Sequence, residues 1–226
     1  MAEEYLTDDE QLEAVKQLAV EYAPWLIGGI LAGAAVFFGM RYYQSYTNER
    51  AFKAAAQFSA MTTALQTNDR AKSRQIADGI IKDYANSPYA DQAQLTLARL
   101  DVDEGQMDKA AAPLTQVMNE SKDSELRQIA RLRLARVQIG QGKSDEAINT
   151  LAEPMSAAFG TRYHEVRGDA YYSKKDMSAA RTEYQAALAA ADTNGINPAL
   201  LELKIQDLGA AAAPVASLDT LNKAKP

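Results

Sequence analysis

The chain has 226 residues, 24 Lys and Arg against 30 Asp and Glu, and a net charge of −6. It has no cysteine, which excludes disulfides and thiol catalysis while leaving the compartment open. Residues 1–21 hold seven acids and one base and carry all of that net charge, so the rest is neutral, lacks a basic stripe and is not expected to bind nucleic acid.

At the amino terminus, Thr7-Asp8-Asp9-Glu10 has capping-box spacing, with Thr7 as N-cap and acids where the helix dipole favours them. Leu12, Val15, Ala19 and Tyr22 then share one face of a helix. Pro24 either kinks this helix or opens the next one as a first-turn proline. From Tyr22 to Met40 there are 19 residues without a charge. At ~1.5 Å per residue they span about 28 Å, close to the hydrocarbon thickness of a bilayer.

A secretory signal has a basic start, a shorter apolar run and small residues at its end. Here the start is acidic and Met40-Arg41-Tyr42-Tyr43 follows the run, so the segment reads as an uncleaved anchor in a lipid bilayer. Tyr22 and Trp25 at one border and Tyr42, Tyr43 and Tyr46 at the other resemble interfacial aromatic belts. Gly29 and Gly33 form a flat patch, a candidate surface for packing against another membrane helix. Beside the span, Lys16 stands against Arg41, Arg50 and Lys53, a count that favours a cytosolic carboxyl-terminal part.

Helical periodicity continues to about Leu65, and four helix pairs follow from a recurring signature. Its first-helix part reads Gln94-x2-Leu97-Ala98-x2-Asp101, Arg131-x2-Leu134-Ala135-x2-Gln138 and His164-x2-Arg167-Gly168-x2-Tyr171. Its second-helix part reads Ala110-x3-Leu114, Ala147-x3-Leu151 and Ala180-x3-Tyr184, with a weaker earlier copy at Ala77-x3-Ile81. The alanines Ala77, Ala110, Ala147 and Ala180 are spaced 33, 37 and 33 residues. Glu104-Gly105, Gln141-Gly142 and Lys174-Lys175 mark the turns within pairs. This is the tetratricopeptide pattern, in which small residues let two helices approach and larger ones fill the joint with the next pair. After Asn197-Pro198 a helix from about Ala199 to Leu208 is expected to cover the open end of the stack. Gly209 to Pro226 lacks sustained periodicity and reads as a flexible tail.

The fold class is therefore all-α: a single N-terminal transmembrane helix, then a tetratricopeptide-like α-solenoid of helix hairpins with a C-terminal capping helix. Phosphate-binding glycine loops, zinc-protease helices and nucleophile elbows are absent from the sequence, so neither an enzyme nor a cofactor site is expected. His164, the only histidine, reads as a packing residue, and Asp101, Asp103 and Glu104 as a solvated helix end. Solenoids bind through the concave face lined by first helices. Counting from the marker alanines, that candidate groove comprises Leu95, Arg99 and Val102, then Leu132, Arg136 and Ile139, then Glu165, Asp169 and Tyr172. The apolar members are equally suited to the core, whereas Arg99 and Arg136 are not.

Three parts of the sequence carry a family likeness: Asp9-Glu10-Gln11-Leu12-Glu13-Ala14-Val15-Lys16, the span ending in Gly39-Met40-Arg41-Tyr42-Tyr43, and Leu132-Arg133-Leu134-Ala135-Arg136-Val137-Gln138. With Val166-Arg167-Gly168-Asp169-Ala170 and Pro198-Ala199-Leu200, the chain resembles the YfgM-type ancillary SecYEG translocon subunits of Gram-negative bacteria over about residues 8–208. The resemblance implies a type II inner-membrane protein: residues 1–21 cytoplasmic, 22–40 the anchor, 41–208 a periplasmic repeat domain and 209–226 the tail. It further implies association with SecYEG, with a membrane-anchored periplasmic chaperone of the prolyl-isomerase-like type, and with translocating polypeptides. A generic scaffold for envelope assembly and a cytosol-facing regulator are the rival readings.

Overall fold

In the computed structural model, residues 8–190 and 198–212 are described. Thr7, Asn197 and the segment after Ala212 lie outside them, and with them the two expected N-caps and most of the expected tail. Every regular element among the described residues is helical: α1 (Asp8–Gln66), α2 (Arg70–Asp83), α3 (Pro88–Asp103), α4 (Met107–Glu120), α5 (Ser124–Gly140), α6 (Ser144–Thr150), α7 (Gly160–Ser173), α8 (Met177–Ala189) and α9 (Pro198–Ala212). The chain divides after Lys53 into two compact units.

In the first unit α1 passes through Pro24, so this proline does not open a helix. It leaves the carbonyl of Val20 without its usual intrahelical partner. The span is exposed on all sides: Trp25, Ile30, Leu31, Phe37 and Phe38 each leave more than half of their surface uncovered. An apolar helix with no polar face and no covering protein suits hydrocarbon, not water. Its length and composition are sufficient to cross a membrane.

The second unit is built from joints between neighbouring helices. Met61, Ala77, Ile80 and Ala93 form one buried cluster. Leu95, Ala98, Ala110, Leu114, Ala130, Leu134 and Val137 form the next. Leu132, Ala135, Ala147, Leu151, Tyr163 and Val166 follow, and Ala180, Tyr184, Ala187, Leu201 and Leu208 close the series. Helix α5 serves two clusters at once, with Leu134 and Val137 turned to one side and Leu132 and Ala135 to the other. Such nearest-neighbour packing is how a solenoid forms its core. The four marker alanines are all fully buried.

The turns inside the hairpins repeat one geometry. Asn68, Gly105, Gly142 and Lys175 all have positive φ, between 58° and 76°. After each, a backbone N–H returns to a carbonyl five residues back: Asp69 to Ala64, Gln106 to Asp101, Lys143 to Gln138 and Asp176 to Tyr171, at 2.7–3.0 Å. This closure satisfies carbonyls that a helix end leaves unpaired. Lys175 adopts without glycine a conformation that favours glycine. Asp69 and Asp176 then cap α2 and α8 through their carboxylates.

Two elements depart from expectation. Leu151 was expected on the second helix of its pair, yet α6 ends at Thr150 and Leu151 is its C-cap, with its N–H on the carbonyl of Ala147. Pro154 soon follows, and proline disfavours helix both at its own position and before it. Leu151 still fills its place in the core. At the far end α9 continues to Ala212, four residues beyond the expected stop. The run Ala210-Ala211-Ala212 has the highest helix propensity available and no breaker before Pro214.

Candidate partner-binding groove

The nine groove candidates occupy equivalent positions on α3, α5 and α7. Leu95 and Leu132 are buried, at 6% and 4% exposure, each within a core cluster. Ile139 is half-buried against the same cluster as Leu132. Val102 and Tyr172 are exposed, as are Arg99 and Arg136. Leu95 and Leu132 thus fill joints, while Arg99, Val102, Arg136 and Tyr172 present surface.

At the α7 position of this pattern the chemistry changes sign. Glu165 stands where α3 and α5 have leucine, and Asp169 where they have arginine. Both acids are held by Lys204 of α9, whose Nζ lies 3.1 Å from Glu165 and 2.7 Å from Asp169. The Tyr184 hydroxyl donates to Asp169 at 2.8 Å. Burial, reinforced by the carboxylates of Asp169 and Glu165, pushes the pKa of that hydroxyl well above its ordinary value. The acidic end of the row is therefore sealed by the capping helix.

The basic part is open. Arg99, Val102 and Arg136 line a cleft of about 390 Å³ together with Arg133. Arg99 Nε lies 3.8 Å from Asp103, and Arg136 Nη2 lies 3.7 Å from Glu165. Arg133 donates to the carbonyl of Leu95 at 3.4 Å. Burial, and then the charges of Arg99 and Arg136, lower the pKa of the Arg133 guanidinium from its ordinary value. Arg133 was not among the sequence candidates, although it sits one turn before Arg136 on the same helix.

The other polar candidates are structural. His164 Nδ1 lies 2.8 Å from Glu183, which Arg167 also approaches at 3.3 Å, so His164 belongs to a network between α7 and α8. Asp101 is not solvated as expected: it is 4% exposed and bound by Arg74 at 2.7 Å, with Glu104 on the same arginine at 3.1 Å. The reason is the packing of α2 on α3, which brings a cation to it from 27 residues earlier. In the first unit, a Cβ added at Gly29 or Gly33 would meet no atom within 4 Å. Among the described residues no group of His, Asp or Glu has the arrangement of a metal site.

Residues 16–210 match the family described as Tetratricopeptide repeat-like domain. The chain is 30% identical over 204 residues to the ancillary SecYEG translocon subunit of Escherichia coli (strain K12), covering 90% of this chain and 98% of that protein. It is 27% identical over 182 residues to the protein of the same name from Haemophilus influenzae, covering 80% and 89% of the two chains. The Neisseria gonorrhoeae protein of that name is 27% identical over 207 residues, covering 90% and 98%. These relatives are named as subunits and the matched domain is a scaffold, so this is a non-enzymatic protein. Its helix pairs, marker alanines and near-full-length likeness make the chain a member of the tetratricopeptide repeat-like family to which the ancillary SecYEG translocon subunits belong.

Proposed function

We propose that this protein is a single-pass inner-membrane adaptor that holds a repeat domain beside the SecYEG translocon. The observation that carries the reading is the pairing of one uncharged, wholly exposed span with a stack of binding-type hairpins, in a chain whose relatives are named as translocon subunits. In this reading residues 1–21 are cytoplasmic, 22–40 cross the membrane, and 41–212, which end with α9, are periplasmic. The periplasmic domain links the channel to newly translocated polypeptides and to a membrane-anchored chaperone of the prolyl-isomerase-like type. Arg99, Val102, Arg136 and Tyr172 offer the partner-binding surface, and Gly29 and Gly33 the face for a neighbouring membrane helix.

The mechanism is positional. A tether turns a weak bimolecular encounter into a local one, at an effective concentration reaching the millimolar range. Removing residues 1–40 is therefore expected to weaken retention on purified SecYEG by about 10²-fold or more, measured by co-purification from detergent. Equal retention without the anchor excludes this mechanism.

A further inference from the structure

Some cations of this domain are closely neutralised among the described residues, and those of one cleft are not. Arg74 and Lys204 each have a carboxylate oxygen at 2.7 Å. The three arginines of the cleft between α3, α4 and α5 have no carboxylate at direct hydrogen-bonding distance among the described residues. Arg99 and Arg136 reach theirs only at 3.8 and 3.7 Å, and that of Arg136 is already held by Lys204. Arg133 has only a neutral carbonyl, and it feels both neighbouring charges. Between these guanidinium groups the wall is apolar, formed by Ala98, Val102, Met107, Leu114 and Val137. An apolar recess lined by three under-neutralised arginines is complementary to a segment that carries apolar side chains beside carboxylates. Arginine is the cation best suited to carboxylate, because its fork of donors matches the two oxygens.

We propose that this cleft docks an acidic–apolar polypeptide segment, with its apolar side chains in the recess and carboxylates on Arg99, Arg133 and Arg136. The occupant is a protein partner: apolar walls and three guanidinium groups in one cleft of about 390 Å³ call for apolar side chains and carboxylates together, which one acidic–apolar segment supplies. The proposal rests on the adaptor reading for its biological setting, since it names the chemistry that the presented domain would capture.

The test uses the full chain in phosphatidylcholine nanodiscs and a fluorescein-labelled decapeptide alternating leucine with aspartate and glutamate, read by anisotropy. Saturable binding is expected, weakened about tenfold or more when the acids become asparagine and glutamine, and similarly when the leucines become alanine. Arg99→Glu is expected to weaken the acidic peptide by at least about tenfold without moving the thermal melt, because that side chain is 75% exposed. Arg133→Gln gives a second and independent loss, and 500 mM salt reduces binding in the wild type. Equal binding of acidic and neutral peptides, no peptide binding, or full affinity in Arg99→Glu overturns the proposal. So does phosphatidylglycerol in the discs displacing the peptide through the same arginines, which would make the cleft a headgroup site. Co-purification of the wild-type chain with SecYEG, with and without residues 1–40, tests the adaptor reading by itself, so the two readings fail separately.

Discussion

Ala98, Ala135 and Gly168 hold the same place in successive hairpins, and the residue 16 positions later is Leu114, Leu151 or Tyr184. The largest partner faces the smallest residue. A Cβ built at Gly168 would lie 2.4 Å from Tyr184 Cε1, inside any permissible contact. The ring has little freedom to retreat, since Tyr184 is 2% exposed and its hydroxyl is bound to Asp169. Gly168→Ala is therefore expected to destabilise the fold by about 1–3 kcal/mol, seen as a lower Tm of the full chain in detergent. Adding Tyr184→Leu, which copies the other two hairpins, is expected to recover part of that loss. No recovery would mean that the clash is not the cause. This pairing was legible in the sequence, because the marker alanines and their neighbours recur in phase and close helix approach demands small side chains. The polar partners were not. Asp101 sits beside Asp103 and Glu104 in an ordinary acidic run, and the arginine that buries it lies on another helix. Lys204 and Arg133 were equally silent, because a polar contact between helices leaves no periodic mark.

Helix α9 shows the same limit at the next scale. Its existence follows from Pro198 and the apolar spacing of Leu201, Ile205 and Leu208, but its role as a clamp on Glu165 and Asp169 does not. Leu201 and Leu208 are fully buried against Ala180, Tyr184 and Ala187, so α9 completes the last joint. The raised pKa of Tyr184 ties that joint to pH. Folding favours the neutral phenol, so the stabilisation is complete below the ordinary tyrosine pKa of about 10 and is lost as pH climbs towards the higher folded value. Between about pH 9 and 12 the Tm of the wild type is expected to fall more steeply than that of Tyr184→Phe, which has no proton to lose. Parallel slopes would remove tyrosine ionisation as the cause. The short α6 was overlooked, although Pro154 announces it: the repeat spacing places Leu151 correctly, while the helix stops early ahead of that proline.

For the whole molecule, local charge and the adaptor reading point in opposite directions. All of the net negative charge precedes the span, whereas Arg41, Arg50 and Lys53 follow it. On the positive-inside rule this arrangement favours a cytosolic repeat domain, whereas the adaptor reading requires a periplasmic one. Protease added outside spheroplasts is expected to digest the repeat domain and leave a protected fragment of the amino-terminal segment and span. Protection of the repeat domain would instead support a cytosol-facing regulator. The family match over residues 16–210 and the periodic core give the fold from two independent directions, while neither direction specifies the ligand.

The four identical turn closures also bear on how quickly this chain can reach its native state. Each fixes two helices adjacent in sequence, and the packing joins neighbours or next neighbours throughout. Chains dominated by such short-range contacts fold fast, because little loop entropy must be lost before a contact forms. A polypeptide with this wiring can assemble one hairpin at a time as it emerges. Its most easily reversed step is then the docking of α9, because no further hairpin stacks behind it among the described residues.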